Sequence, residues 1–299
     1  MPSQKKHSHD VLFKSLLSRK DVVRDFLQVF LPDISGYLDF STLEFHKKSF
    51  VDQQMKESFS DLVVSCRTTV GEALIVFLYE HKSKKDKYLY VQLLNYITRI
   101  FRFYQRQKQR LPIVVPVVFY HGQEKFVYPN YDEIFVRAPE IFGRFIPKFN
   151  VKFFDLYTYG EEYIKRAEDH FILLILIGLL SYVFKQPEQM IEFLLFVKNR
   201  HKDKFGSHKE ILELTLNYLG KFRKFAEEPY NKQIMDTLFK DIDYEPGSLI
   251  DQWVKRGYEE ATEKNIVKML RKGFSVKDIA EILEVDEEFV LKVKQAYKL

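Results

Sequence analysis

Apolar and polar positions along this chain follow first one period and then another. Val11 to Phe30 carries apolar residues at helical spacing and stops before Pro32, which predicts a first amphipathic helix. Tyr37 to His46 predicts a strand. Two runs rich in β-branched and aromatic residues, Asp61 to Arg67 and Ala73 to Lys82, predict two more. Between them Thr68-Thr69-Val70-Gly71-Glu72 supplies a short turn, with glycine where positive φ is needed. Tyr88 to Arg106 returns to a helical period. Ile113 to Tyr120 is continuously apolar, the pattern of a central strand buried on both faces, despite Pro116. Val151 to Leu156 closes the series as a last strand. The predicted order is helix, three strands, helix, strand, strand, which is an α/β fold with a mixed sheet flanked by helices.

After about Tyr163 the pattern turns to helices and their connections. The longest apolar stretch, Phe171 to Leu180, is half of the roughly 20 residues that a membrane span needs, so a buried helix is expected there. Asp243-Tyr244-Glu245-Pro246-Gly247-Ser248 breaks the helical pattern and suggests a boundary. The expected organisation is an α/β core over residues 1–163, a helical region over 164–248 and a small C-terminal helical module over 249–299. Ile266 to Leu299 has a helix-turn-helix look, with Ser275 and Asp278 as a variant capping box. The second helix of such a motif presents its N-terminal residues to the groove, and here these are Asp286, Glu287 and Glu288, which phosphates repel. Packing or oligomerisation is therefore the favoured role of the module, with DNA binding as the alternative.

Composition narrows the class. With 299 residues and 46% hydrophobic residues the chain belongs among globular proteins. The 28 Phe and 18 Tyr predict a core rich in large rings. Cys66 is the one cysteine, which excludes an internal disulfide and fits a reducing cytoplasm. The first ten residues carry Lys5, Lys6, His7 and His9 with no apolar stretch after them, so no secretory segment is expected. His7, His9 and Asp10 are candidate metal ligands; a short polar tail is the favoured reading, with Asp10 and Lys14 near the cleft as the alternative. A net charge of +5 permits a polyanionic partner without demanding one. The composition suggests no membrane partner and leaves a homo-oligomer open.

The candidate chemistry sits at the strand ends. Asp61 opens one strand run and Glu80-His81-Lys82 closes the next. If Val70-Gly71 is a two-residue hairpin turn, Thr69 faces Glu72, and counting outward sets Asp61 directly opposite Glu80. Directly opposed residues share a sheet face, with Cβ atoms roughly 5 Å apart. Alternation puts Lys82 on the face of Glu80 and His81 on the other. Two adjacent carboxylates are costly unless a cation joins them. Mg²⁺, a hard ion that takes carboxylates and phosphate oxygens, answers that cost and activates water. Lys82 then orients or deprotonates the water, or stabilises charge on the phosphate. Glu44 and Asp52 are further candidate ligands of lower rank, and Cys66 should point into the core.

The following helix adds a polar line. Gln92, Tyr96, Arg99, Arg106 and Arg110 fall within about 40° of one line at 3.6 residues per turn. Leu93, Leu94, Ile97, Ile100 and Phe101 lie on the adjoining face and should pack on the sheet. The arginines form a track suited to a phosphate backbone. Arginine stripes are more often solvated helix faces than binding sites, and E-x-K triplets are common by chance. It is the order Asp61, Glu80, Lys82, Gln92, Tyr96 that lifts the reading above either fragment.

That constellation resembles the PD-(D/E)XK nuclease superfamily. Its core order of helix, three strands, helix, strand is the one read above, and it implies a restriction-endonuclease-like fold. Asp61 matches the first acidic position, with Ser60 in place of proline. Glu80 and Lys82 match the second acid and the lysine. Gln92 and Tyr96 match the Q-x-x-x-Y motif of RecB-type members. A closer resemblance is to the bacterial Rpn family of recombination-promoting nucleases, also labelled putative transposases. It rests on His9-Asp10 with Phe13-Lys14, Ser60-Asp61-Leu62, Tyr79-Glu80-His81-Lys82-Ser83, Leu93-Leu94-Asn95-Tyr96, and Pro116 to Gly122, over roughly the first 160 residues. Many relatives carry Gln at the position of Lys82; the lysine here is closer to the parent pattern.

The resemblance implies a Mg²⁺-dependent DNA endonuclease linked to recombination or mobile elements. Asp61, Glu80 and the His81 carbonyl would hold the metal. Asp61, Glu80, Lys82 and Gln92 would be catalytic, and Tyr96, Arg99 and Arg106 would contact nucleic acid. A non-cleaving nucleic-acid-binding protein, an RNA nuclease and a transposase are the alternatives.

Overall fold

The computed structural model describes residues 2–46, 62–70, 74–128, 131–137, 139–226, 229–239, 259 and 262–299; for residues 2–7, 74–80, 223 and 226 it describes the backbone alone. The chain divides into two compact units, Met1–Met190 and Ile191–Leu299.

The first unit is built on a five-stranded mixed sheet in the order β1-β2-β3-β4-β5. Its strands are β1 (Leu38–His46), β2 (Leu62–Thr68), β3 (Leu74–Lys82), β4 (Ile113–Tyr120) and β5 (Lys152–Asp155). The first three pair antiparallel, and β3-β4 and β4-β5 pair parallel. Every predicted strand is present, within a residue or two of the expected ends. β2 and β3 run from Leu62↔Tyr79 to Arg67↔Leu74, the register expected of the hairpin; Asp61 and residues 71–73 lie outside the described residues. Pro116 is accommodated because β5 joins β4 only from Val117 onward, so at Pro116 the strand has β3 alone as a neighbour. β1 is irregular between Asp39 and Glu44. There the Thr42 hydroxyl stands in for a ladder carbonyl by accepting the Arg67 N–H at 2.9 Å. Cys66 is buried, as its strand position required.

Helices cover both faces of the sheet. The amphipathic run that the sequence predicts as one helix is two, α1 (Pro2–Leu17) and α2 (Lys20–Phe30), separated where Arg19 is extended. The apolar stripe survives the break: Leu12, Phe13, Leu16 and Leu17 are buried on one side of it, and Val22, Val23, Phe26 and Leu27 on the other. A one-turn α3 (Pro32–Ser35) leads into β1. Phe13 and Phe26 meet Phe119 of β4, and Phe26 and Phe30 meet Phe154 of β5. On the opposite face α4 (Leu89–Arg106) buries Leu93, Tyr96, Ile100 and Tyr104 against Val63 and Val118. β4 thus presents Phe119 to one layer and Val118 to the other, which is why it reads as continuously apolar. After the one-turn α5 (Tyr131–Ile134), β5 runs into α6 (Leu156–Arg166). The apolar stretch becomes α7 (Phe171–Tyr182), buried from Phe171 to Ser181 and packed on α1, α2 and α6. Among the described residues no helix is long and apolar enough to cross a membrane.

The division between the units falls within α8 (Pro187–Arg200). The second unit continues with α9 (Lys202–Phe205), α10 (Lys209–Leu219), α11 (Arg223–Ala226) and α12 (Tyr230–Phe239). Its last part has α13 (residues 262–271), α14 (Val276–Leu283) and α15 (Glu287–Ala296). These last three share a small core of Ile266, Ile279, Ala280, Val290 and Val293. Ser275 caps α14 as its spacing suggested, accepting the Asp278 N–H at 3.1 Å and donating to the Asp278 carboxylate at 2.6 Å.

Two details of the first unit make its stability testable. Tyr120, at the end of β4, is fully buried between Phe126 and Phe153 and donates to the Glu124 carbonyl at 2.6 Å. A Cβ on Gly122 would collide with its ring and hydroxyl. Gly122→Ala should therefore cost about 1–3 kcal/mol, read as a lower midpoint in urea unfolding. His9, on α1, is 3% exposed, and burial holds its imidazole down at about 4 instead of the ordinary 6.5. The unfolded chain then binds more protons than the folded one. The stability that His9 confers is complete above about 6.5 and is lost as the pH falls toward 4, by about 3 kcal/mol in all. Urea unfolding at pH 7.5 and pH 4.5 should show this loss, and His9→Asn should reduce it.

Candidate active site

β3 and β4 run parallel, and their carboxyl ends finish side by side at Lys82↔Tyr120. The end of a parallel strand pair, where the chain leaves the sheet, is where α/β folds gather functional side chains. Here the period-2 alternation of β3 sends consecutive residues to opposite layers. His81 goes to the α1 side and Lys82 to the α4 side, as expected for the pair.

Lys82 is half-buried, with 18% of its side chain exposed. Its ammonium donates to Gln92 Oε1 at 2.7 Å and to Asp86 Oδ2 at 3.2 Å. Gln92 lies in the first turn of α4, and its Nε2 donates to the Tyr96 hydroxyl at 2.5 Å, one helical turn on. Tyr96 is 3% exposed, its ring set in the cluster with Leu93, Ile100 and Val118. A hydrogen-bonded line thus runs from a buried ring through an amide to an ammonium. The sequence reading put Tyr96 on the nucleic-acid surface. With its ring buried it has no face to offer a base, and its hydroxyl holds Gln92.

Asp86 is a member of this group that the sequence reading missed. Its Oδ1 accepts the Tyr88 N–H at 2.9 Å and its carbonyl accepts the Leu89 N–H at 3.1 Å, so it shapes the turn into α4 while Oδ2 takes Lys82. The signal was available: an Asp just before a predicted helix forms such turns.

The other predicted residues divide three ways. Asp61 lies outside the described residues, and Glu80 is placed by its backbone, paired with Val118 on β4. Arg99 is partly exposed and Arg106 exposed on α4. The helix ends at Arg106 with Gln107 as its cap, so Arg110 drops off the arginine line. Of the lower-ranked ligands, Glu44 is exposed on β1, and Asp52 lies outside the described residues. Asp155 also sits at a strand end, but its carboxylate is engaged by the α6 cap, accepting from Tyr157 N, Thr158 N and Thr158 Oγ1.

The opposite side of the strand ends holds a second cluster. His81 is 7% exposed, with Nε2 2.7 Å from Asp10 Oδ1 and its ring stacked on Phe13 at 4.9 Å. His121 follows β4 and is completely buried, beside His81 at 5.9 Å and His9 at 4.5 Å between ring centroids. Burial and the neighbouring imidazoles keep His121 well below its ordinary range. The polar tail expected of His9 and Asp10 is instead part of α1 and faces the sheet, because Leu12, Phe13 and Leu16 on the same helix anchor it there. Among the described residues, no three or more His, Cys, Asp or Glu side chains are arranged to hold a metal.

Comparison with known proteins gives the family. The chain is 37% identical over 117 residues to the recombination-promoting nuclease RpnD of Escherichia coli O157:H7, covering 38% of this chain and 45% of that one. It is 38% identical over 118 residues to the recombination-promoting nuclease RpnA of Escherichia coli strain K12, covering 39% and 40%. RpnE of strain K12, named an inactive recombination-promoting nuclease-like protein, matches at 32% over 117 residues, covering 38% and 39%. The chain spans less than half the length of these curated relatives. No solved structure matches. Residues 7–211, which take in most of α1, the whole sheet and the Lys82 cluster, match the family model described as putative transposase, YhgA-like. The chain belongs to this family, the Rpn family that its first 160 residues resemble.

Proposed function

We propose that the first unit is a divalent-metal-dependent DNA endonuclease with a restriction-endonuclease-like core. The observation that carries the reading is the line Tyr96–Gln92–Lys82. A half-buried ammonium at the carboxyl end of a strand is gripped by two acceptors instead of reaching into solvent. Lysine carries much rotamer freedom, and a surface lysine with no task has no reason to surrender it. The nuclease names of RpnD and RpnA agree, although two other relatives are named inactive, so family membership alone does not decide activity.

Asp61 lies outside the described residues, and its place opposite Glu80 is the hairpin expectation from the sequence, with which the observed Leu62↔Tyr79 pairing agrees. Those two carboxylates and the His81 carbonyl are hard oxygen donors, the chemistry that Mg²⁺ takes, and they would hold it. When bound, the ion supplies polarisation of the phosphodiester and a more acidic water. Lys82 orients or deprotonates the attacking water and steadies charge on the phosphate oxygens. Gln92 sets the direction of Lys82, with Tyr96 behind it. Arg99 and Arg106 continue along α4 from that point and give the substrate backbone a cationic track, which favours nucleic acid as substrate.

The deciding experiment is cleavage of supercoiled plasmid by the purified chain and by Lys82→Ala, each with Mg²⁺ and with EDTA. Nicking or linearisation is expected from the wild type with metal alone. Lys82→Ala should lose about 100-fold or more in rate. Asp61→Ala should abolish cleavage and keep the circular-dichroism spectrum; cleavage that survives in it would sink the metal assignment. Tyr96→Phe removes one neutral hydrogen bond of about 1 kcal/mol. It should slow turnover roughly fivefold at saturating DNA without weakening DNA binding, whereas a Tyr96 that touched the substrate would show the reverse.

A further inference from the structure

The acidic residue on α1 is not among the residues that the proposed chemistry uses, yet it reaches the same strand end from behind. Asp10 Oδ1 lies 2.7 Å from His81 Nε2. The close approach of the carboxylate limits how the ring can turn. Among the described residues His81 Nδ1 makes no hydrogen bond, so this contact and the stacking described next are what hold the ring. Phe13, one helical turn further on α1, stacks on the same imidazole at 4.9 Å. Two side chains of one helix face thus hold one histidine.

The hold extends to the neighbouring strand. His9 of α1 lies against His121, and the His121 backbone N–H donates to the Lys82 carbonyl at 2.9 Å. Both anchors act on the last residues of β3, where a strand otherwise frays into its loop. Lys82 projects from that end on the other face, toward Gln92 and Asp86.

From this we infer that Asp10 is a positioning residue: through His81 it fixes the end of β3 from the α1 side and so sets where Lys82 stands. The inference rests on the nuclease reading for its effect on rate, since displacement of a reacting group by about 1 Å can cost on the order of 100-fold. Its structural half, that Asp10 fixes His81, does not depend on cleavage.

The test pairs two readouts on wild type, Asp10→Ala, Asp10→Asn and Lys82→Ala. NMR of the His81 ring without metal reports its surroundings, and plasmid cleavage with Mg²⁺ reports kcat and KM separately. Asp10→Ala should shift the His81 ring signals by more than Lys82→Ala does, with at least a tenfold loss in kcat and KM within twofold. If Asp10→Ala does not fold, Asp10→Asn, which keeps the shape and loses the charge, carries the same expectation at smaller size. Unchanged kcat in a folded Asp10 variant, with Lys82→Ala inactive, overturns the inference and leaves the nuclease reading standing. A wild type that does not cleave overturns the nuclease reading, and the His81 ring signals then decide the structural half by themselves. A His81 ring unaltered in both Asp10 variants overturns that half.

Discussion

The molecule depends on how the last two residues of β3 divide between the two sides of the sheet. A strand alternates by geometry, so His81 and Lys82 cannot share a face. Each is taken up by the helical layer it meets. α1 brings Asp10 and Phe13 to His81, and α4 brings Gln92 to Lys82. The parallel strand alongside adds the His121 N–H on the Lys82 carbonyl. A short piece of chain is thereby held from three directions. Backbone hydrogen bonding supplies one, and side chains from two helices supply the others.

This arrangement explains why the two layers are so differently built. The α1 side is dominated by rings: Phe13, Phe26, Phe30, Phe119 and Phe154 form a continuous aromatic contact into which the histidines are set. Rings of this kind are rigid and bury much area, so they hold α1 and α2 on the sheet. Polar atoms placed in such a layer are costly unless neutral or paired. Burial accordingly keeps His9 and His121 from taking a proton in the ordinary range. The α4 side mixes apolar packing with a polar line that opens outward at Lys82. One layer is a foundation and the other carries the restrained ammonium at the strand end.

Family membership and local geometry bear on different questions. The match over residues 7–211 says which fold lineage the chain comes from. The relatives include nucleases and two named inactive, so lineage leaves activity open. The restraint on Lys82 is a property of this chain itself, whatever its relatives do.

Much was legible from sequence because it follows from period and sterics. Alternation and apolar runs located all five strands, and the turn length gave the β2-β3 register, since side-chain period 2 permits no half-steps. Gln92 and Tyr96 were legible as a pair because residues four apart on a helix must meet. Other features needed the tertiary structure. Tyr96 stands about 40° from Gln92 around the helix, between the arginine line and the apolar face, and the packing of α4 on Val63 and Val118 decided that its ring goes inward. The break at Arg19 leaves no mark on the apolar stripe, because both halves bury the same face. Asp10 and His81 are 71 positions apart. No local pattern links them, and His9-Asp10 reads as a polar tail until the aromatic layer seats α1 on the sheet. Local geometry belongs to the sequence alone; which distant side chains come to share a buried space is settled only when the layers close.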